Sequence, residues 1–451
     1  MFDLSVYKKA MKALASSVHQ AELNAERQVS IQIGAENGEV SQTSMSDLTE
    51  LYVRVSGEKT GYAYTQDLTE EPQAVFRRAI ENAGSVEREG TDKLNTPGEA
   101  FCGPAVQIAP EANVRSMAQA AVLLEKAALS AEEHVTGAVA EIRVDRNESA
   151  VLNSLGVDVS YARQVCCAWV NVAAKFEGGA YNTVCQVTAP ALEMLDFDRM
   201  QVQIRQALLR QYEPASLPSG EYPVILHNTV AINILMTAWQ LFSGLKYNEG
   251  SSALAGRLGQ TIGSGALNIS DVPSHPDAGY IFPFDCEGTP TKENMLVERG
   301  KLTGLMHNLA SGQKAGVPST ANAGRYALLS GTIPTDIIII PHIFHIKPGT
   351  HTVPALIKKM GNGVYITESY DVFHSVNIGS GDFSIPCKGV VIRDGKEQQN
   401  VTALTINGNL LDLFQNVEEA ADDLLIEEFL RKTYCVGSPS LYIHKMQVNG
   451  K

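Results

Sequence analysis

Asp285, Cys286 and Glu287 set two carboxylates around a thiol in the run Phe284-Asp-Cys-Glu287-Gly288-Thr-Pro290. Carboxylates at that spacing suit general acid–base work, and a thiol between them is a candidate nucleophile. A plainer role competes. On a strand, residues i and i+2 share a face while the middle one points away, and negative neighbours raise a thiol pKa rather than lower it. A strand end turning at Gly288, its carboxylates holding backbone or a basic partner, is the favoured reading. His342 and His345, in Pro341-His-Ile-Phe-His-Ile346, invite a metal. Pro341 and the β-branched neighbours point to a strand, where positions three apart face opposite ways, so two structural histidines are favoured. His374 precedes the Gly381-Asp382-Phe383 turn. With Asp285, Glu287, Gly381 and Asp382 it is a cleft-lining candidate, weighed against a plain hydrogen-bonded histidine. Gly379-Ser-Gly381 and Gly361-Asn-Gly363 carry neither a P-loop nor a dinucleotide fingerprint and read as turns.

These residues need elements to position them. Apolar spacing at Val6, Met11, Leu14, Val18 and Leu23 predicts a helix over 5–26. Strands are expected at Val29–Ile33, Glu39–Thr43, Thr49–Val55 and Gly61–Thr65, with a turn at Glu36-Asn37-Gly38. Helices follow at Glu70–Glu87, Val114–Ala131 and Met194–Gln211. Residues 90–110 read as a loop, and Thr136–Asp145, Ser149–Asn153 and Asp158–Ala174 as a three-stranded meander. The stretch Pro214-Ala-Ser-Leu-Pro218-Ser-Gly220 is the expected boundary, giving domains at 1–213 and 219–451. Beyond it, one long helix from about Asn228 to Leu245 precedes short strands with Gly/Pro turns at Gly279–Phe284, Asn294–Glu298, Thr335–Ile340, Gly363–Glu368, Gly389–Arg393, Val401–Ile406 and Leu441–Val448. The fold class is α+β: an N-terminal mixed sheet with helices, then a mostly antiparallel, barrel-like β domain.

A chain of 451 residues with 44% hydrophobic and 19% charged content can bury cores of ordinary globular kind. The net charge of −14 argues against a phosphate-backbone surface and hence against nucleic acid. Seven cysteines (102, 166, 167, 185, 286, 387 and 435), an odd number with no C-x-x-C pair, fit a reduced compartment. Apolar runs such as Ile337–Ile340 are far too short for a membrane span, and the N-terminus lacks a signal-peptide core. A cytoplasmic protein is expected.

The second half resembles the TldD/PmbA family, also described as modulators of DNA gyrase. Gly220-Glu-Tyr-Pro-Val-Ile-Leu226 is similar to the strand before that family's zinc helix, and Gly250-Ser-Ser-Ala-Leu-Ala-Gly256 to the segment after it. The D-x-E-G-T-P stretch is matched at Asp285–Pro290, and the hairpin E-N-G-x-L-x-G at Glu298-Arg-Gly300-Lys-Leu-Thr-Gly304. Gly379-Ser-Gly381-Asp382-Phe383-Ser384, Val391-Ile-Arg-Asp394-Gly395-Lys396 and Leu404-Thr-Ile-Asn407-Gly408-Asn409 follow in the family's order. Arg54-Val-Ser-Gly57 and Gly61-Tyr-Ala-Tyr-Thr65 fit its N-terminal strands. The order and spacing of these segments, covering nearly the whole chain, carry the resemblance.

Departures from the pattern place the chain in the PmbA branch, also called TldE. Where the catalytic branch carries His-Glu-x-x-x-His, the resemblance puts Leu235, Met236 and Gln240. A leucine cannot bind zinc, and neither Leu nor Met can take a proton from water. The catalytic branch's glycine-rich loop with its Cys ligand looks shortened here, with Cys435 left nearby. Trp239, Leu241 and Phe242 make the helix apolar on much of its circumference, which predicts burial. The resemblance therefore implies no catalytic residues and no metal in this chain. It implies zinc in a TldD-like partner, unfolded peptides as substrate, and a non-catalytic subunit that completes the cleft of a metallopeptidase complex. A homodimer is expected when the chain is isolated. The alternatives are an independent hydrolase using Cys286 or Cys387, and a binding protein that modulates DNA gyrase.

Overall fold

A computed structural model describes residues 3–14, 20–85, 93–98, 106–107, 113–177, 179–212, 214–325, 337–372, 374–429 and 434–450. Cys102, most of the loop expected over 90–110, and residues 335–336 of the strand expected at Thr335–Ile340 lie outside them.

The chain is α+β. Its first half contains α1 (Ser5–Leu14), β1 (Gln20–Glu36), β2 (Glu39–Ser56), β3 (Thr60–Thr65), α2 (Pro72–Ser85), β4 (Val106–Gln107), α3 (Val114–Leu129), β5 (Val135–Asn153), β6 (Asp158–Phe176), β7 (Gly179–Ala189) and α4 (Phe197–Leu209). All seven strands form one sheet in the order β3-β2-β1-β5-β6-β4, with β7 also pairing β6. The β1–β2 turn lies where the sequence puts it, Asn37 and Gly38 both taking positive φ (57° and 79°), the backbone a tight two-residue hairpin requires.

Three expectations fail here. Glu39–Thr43 and Thr49–Val55 are parts of one strand, Glu39–Ser56. Residues 20–26 are strand, not helix. Their period is two: Ala21, Leu23 and Ala25 are buried on one face, Glu22 and Asn24 on the other. Pairing with both β2 and β5 overrides the helix preference of Ala, Glu and Leu, since propensity is a weak prior against tertiary context. The meander also differs. Val135–Asn153 is one uninterrupted strand, and the third strand is Gly179–Ala189. The polar run Arg146-Asn147-Glu148 imitates a turn, yet all three residues are paired with β1 and β6.

The two sheet faces differ in chemistry. One is apolar: Leu23, Val53 and Leu152 pack with α1 and α2, and Ile33, Ile142 and Val170 with α3 and α4. The opposite face carries Glu22, Asn24, Glu26 and Gln28 on β1, Arg54 and Glu50 on β2, Asn147 on β5 and Arg163 on β6. Their parity follows from the registers Glu22↔Arg54, Glu26↔Glu50, Gln28↔Asn147 and Asn147↔Arg163.

The second half supplies β8 (Gly220–Leu226), α5 (Asn228–Ala238), α6 (Gly244–Asn248), β9 (Ile269–Val272), β10 (Asn294–Glu298), β11 (Lys301–Leu302), α7 (Leu309–Ala315), β12 (Ala323–Gly324), β13 (Ile338–Ile339), β14 (Ile343–Ile346), α8 (Val353–Met360), β15 (Gly363–Ser369), β16 (Asp382–Arg393), β17 (Lys396–Asn409), α9 (Leu410–Asn416), β18 (Val417–Ala420), β19 (Leu425–Phe429), β20 (Tyr434–Ser438) and β21 (Leu441–Asn449). In the sheet β17-β16-β15-β8-β21-β18 the further β17–β21 pairing closes five strands into a barrel. Only β8–β15 in it is parallel. A second sheet runs β11-β10-β9-β14-β20-β19. The strand expected at Gly279–Phe284 is instead irregular chain with single bridges Ser274↔Ile281 and Phe284↔Pro290. Its aromatic residues Tyr280 and Phe282 are buried by packing with Val165 and Ile343, not by a ladder.

The polar face of the first sheet is joined to the second half by a buried ionic triad. Arg54, 1% exposed, reaches Glu22 at 3.0 Å and Glu287 at 3.1 Å. The other Glu287 oxygen accepts from the Leu309 amide at the start of α7 (2.8 Å). Asn24 donates to the Cys286 carbonyl (2.8 Å). Asp285 accepts from the amides of Glu287, Thr289 and Ala323. Burial pulls the Arg54 pKa down, but the two carboxylates outweigh it and hold the guanidinium above its ordinary value. Burial raises the Glu287 pKa against the opposing pull of Arg54.

Removing one partner of such a network leaves uncompensated buried charge, at a cost of about 3–5 kcal/mol. Arg54→Met is expected to destabilise the protein by that amount at pH 7, read from urea midpoints. Glu287, raised by burial and now without the opposing guanidinium, takes up a proton more readily in the folded than in the unfolded state. Stability then falls as pH rises, so the deficit narrows as pH is lowered from 7 toward 5. A constant deficit over that range, or none, would count against the triad as the tie.

Candidate functional site

The helix α5, which the resemblance aligned with a zinc helix, begins at a histidine cap. His227 Nδ1 accepts from the Thr229 amide (3.3 Å), and burial pulls its pKa down to about 3, so the acceptor nitrogen stays unprotonated. Asn228 holds the Asp423 carbonyl and carboxylate, and its amide meets Ser440. The helix is shorter than expected. It is α-helical only to Ala238, tightens into a 3-10 turn over Trp239–Phe242, and breaks at the extended Ser243 before α6. Ser243 caps α6 through its hydroxyl, which is why one continuous apolar pattern folds as separate pieces.

Leu235 is 2% exposed and lies in the main core with Trp239, Leu241 and Phe242. Met236 is half-buried and packs against that core. Gln240 is half-buried on the 3-10 turn. Tyr434 closes the position: its hydroxyl accepts from Trp239 Nε1 (3.1 Å), lies 3.5 Å from the Met236 carbonyl, and its ring meets the indole edge-on at 5.5 Å. Cys435 does not turn toward the helix. Tyr434 and Val436 belong to the core around α5, whereas Cys435 packs on the other side with Val165 and Tyr280. Burial pushes its thiol well above the ordinary value. A leucine, a thioether, an amide and a thiol facing away do not make a zinc donor set. None of the ten histidines is followed by glutamate. Among the described residues, the only convergence of three potential ligands is Glu132-Glu133-His134 on a turn far from this helix in sequence.

A second feature lies over the polar sheet face. There, β1, β2, β5 and β6 floor a cavity of about 160 Å³, roofed by Phe282–Cys286, Ala323–Arg325, Ile340 and His342. Across the strands the floor reads Glu50, Glu26, Ser149, Tyr161 in one row and Leu48, Gln28, Asn147, Arg163 in the next. Arg163 is buried, its guanidinium 4.6 Å from the Phe282 ring centre and 5.1 Å from that of Tyr280. Arg325 stacks on Tyr52 at 4.8 Å. Glu50 accepts from Tyr64 (2.7 Å) and Tyr52 (3.3 Å). Burial raises the Glu26 pKa, Arg325 opposing. His342 is backed by Asp271, its amide 2.7 Å and its Nδ1 3.3 Å from that carboxylate, which also holds Asn322.

The residues singled out from sequence part company. Asp285 and Cys286 line this cavity, and Glu287 lies beside it in the triad. His374 is exposed and bonds Asp371 at 2.5 Å. Gly381, with φ of 84°, and exposed Asp382 form a turn at the barrel rim, tied to Asn377 and Asn409. His345 is buried against the His275 ring (5.4 Å), where burial pulls its pKa down to about 4. Cys286 is no activated nucleophile: burial pushes its pKa well up, Arg325 opposing and Asp285 and Glu287 adding to it. Burial likewise takes Cys387 up to about 12. Glu26, Glu50, Arg163 and Arg325 went unnoticed in the sequence. The signal was Glu22-x-Asn24-x-Glu26-x-Gln28, polar on one parity and largely apolar on the other.

The PmbA/TldA metallopeptidase C-terminal domain matches residues 219–450, and domain 1 of the same group matches residues 21–83. A metalloprotease PmbA homolog of Haemophilus influenzae is 26% identical over 418 residues, covering 87% of this chain and 84% of that protein. A metalloprotease TldD homolog of Buchnera aphidicola is 22% identical, covering 88% and 85%. Among solved structures, TldE of Thermococcus kodakarensis superposes with a TM-score of 0.86 at 21% identity, over 99% of this chain and 100% of that one. A Thermotoga maritima protein described as a candidate modulator of a DNA gyrase does so with a TM-score of 0.86 at 23% identity, over 98% and 99%. With more than half of its length matched by the C-terminal domain alone, the chain belongs to the PmbA/TldD metallopeptidase family.

Proposed function

We propose that this chain is the non-catalytic, PmbA/TldE-like subunit of a two-component metallopeptidase that degrades or processes unfolded peptides. The observation that carries this reading is the helix at Leu235, Met236 and Gln240, which offers no zinc donor and no general base yet remains packed in the core. In the proposed assembly a TldD-like partner holds the zinc, on which water is activated. This chain completes the cleft and grips peptide. An open sheet edge supports the second task. β3 pairs β2 only from Leu51 to Ser56, so among the described residues Glu39–Glu50 pairs on one side alone, with β1, and is largely exposed. Such an edge can add an extended peptide through main-chain hydrogen bonds. A self-contained thiol hydrolase is less well supported, because the Cys286 and Cys387 thiols are both pushed up. Gyrase modulation rests only on how structural neighbours are described.

On this reading the purified chain carries no stoichiometric zinc after dialysis, as measured by elemental analysis. Leu235→His with Met236→Glu and Gln240→His is not expected to restore zinc or peptidase activity. The new groups enter a packed core, where each buried polar group without a partner costs about 1–3 kcal/mol. A lower melting temperature is expected; a triple variant that folds as well as the parent and binds one zinc would overturn the account of this helix.

Casein fragments should survive incubation with this chain alone and be cut once a TldD-like protein is added. Chelator-resistant cleavage by the isolated chain would favour the independent hydrolase. In the absence of that partner a homodimer burying at least ~1,000 Å² is expected in light scattering at micromolar concentration; a strictly monomeric particle would contradict it.

A further inference from the structure

The first sheet ends at β2 in an edge that lacks the usual safeguards. Natural sheets blunt such edges with lysine, proline, a bulge or a covering segment. Residues 42–48 read Gln-Thr-Ser-Met-Ser-Asp-Leu, with no lysine and no proline. The irregularity of the β1–β2 ladder falls at Ser41, just outside this stretch. Every residue from 41 to 48 is exposed, on both faces of the strand, so among the described residues no helix overhangs it. Asp47, its one charge, is held within the chain by Arg27 at 2.6 and 2.8 Å. Met45 and Leu48 stand 66% and 42% exposed. The edge at β7 is different: Gln211 donates to its Asn182 carbonyl (3.1 Å), and α4 packs on it.

The sequence of the β2 edge fits itself. In an antiparallel pair, residues directly opposite share a face and interact. Let two copies of residues 42–48 run antiparallel about a two-fold axis at Met45. The opposite pairs are then Gln42 with Leu48, Thr43 with Asp47, Ser44 with Ser46, and Met45 with Met45. No carboxylate meets another. Thr43 offers a hydroxyl to Asp47, and the two Met45 side chains bury one another. Moving the axis to Ser44 draws the Ser41 bulge into the ladder opposite Asp47. Moving it to Ser46 sets Asp47 against the Met45 thioether, which gives a desolvated carboxylate no donor. The axis at Met45 avoids both faults.

We infer that this edge is an interface with a second copy of the chain. Residues 42–48 of the two copies pair antiparallel about a two-fold axis at Met45, and the first sheet continues from one copy into the other. The pair closes on itself, because the same patch serves both copies. It also controls the edge assigned to peptide above, since one row of main-chain groups cannot bond a peptide and a second copy together. The inference rests on the homodimer expected under that reading and gives it a place in the fold.

Charge exchange at the axis tests this, with no TldD-like protein present. Met45→Lys and Met45→Glu each set like charges directly opposite one another, which is destabilising. Met45 is exposed in the single chain, so both variants should fold as the parent does, by circular dichroism. In light scattering at low micromolar concentration the parent is expected at twice the monomer mass and each variant at the monomer mass. Mixed in equal amounts, the two variants are expected to regain the doubled mass, because lysine then faces glutamate. Variants that stay dimeric, or a mixture that stays monomeric, would overturn this interface and leave the homodimer itself standing. A monomeric parent would overturn both. Casein cleavage with a TldD-like protein is a separate measurement, so none of these results decides the subunit reading.

Discussion

The guanidinium of Arg54, sealed between Glu22 and Glu287, is the contact on which the arrangement of the rest depends. It is fixed in three ways at once. β1 and β2 bring Glu22 opposite Arg54 by register. Asp285 gathers three amides and so shapes the turn that delivers Glu287. α7 starts with its first amide on the remaining Glu287 oxygen. Two carboxylates against one guanidinium are not an efficient way to gain stability, because desolvation offsets most of the attraction. The network is better understood as a fastening that tolerates only one docking. Sliding the second half along the sheet by one strand position would leave buried charges without partners.

That fastening explains why the sheet has one polar face. An ordinary antiparallel sheet turns its polar face to water. Here part of the polar face is covered by the irregular chain around Tyr280–Thr289, which buries Glu22, Asn24, Arg54 and Arg163. The cavity is the part of this interface that the covering chain does not fill. The α5 position went the other way. It has Leu235 and a Trp239–Tyr434 contact, and the surrounding residues close over it as core. One scaffold therefore holds an apolar, closed α5 position and a polar pocket in the same chain.

Much of this was legible in the sequence, for identifiable reasons. Period-two alternation and the Asn37-Gly38 turn expose the first hairpin, and Gly/Pro spacing exposes a mostly antiparallel barrel-like half. The carboxylates of Asp285 and Glu287 do hold backbone amides and a basic partner, the role favoured for them. What stayed hidden was non-local. Strand 20–26 has the composition of a helix and becomes a strand only because two neighbours pair with it. Arg146-Asn147-Glu148 looks like a turn until the ladders on both sides are known. Tyr280 and Phe282 look like strand residues, yet they cover Arg163 from a loop. The cavity draws on β1, β2, β5, β6 and three loops far apart in sequence, so no local motif announces it.

The two halves also divide the physical work differently. In the second half, closure of five strands by the β17–β21 pairing leaves the barrel few backbone groups to satisfy, and apolar residues from Val224 to Val448 fill it. Its integrity is a matter of packing. The first sheet keeps its edge at Glu39–Glu50 and its charged face, both of which cost stability unless something uses them: an open edge invites pairing, and buried charges demand partners. Chemistry that depends on donors at α5 can vanish without harm to the fold. The polar sheet face is less free to vary, because Glu22 and Arg54, which seat the two halves together, stand on the same face and the same two strands as Glu26 and Glu50.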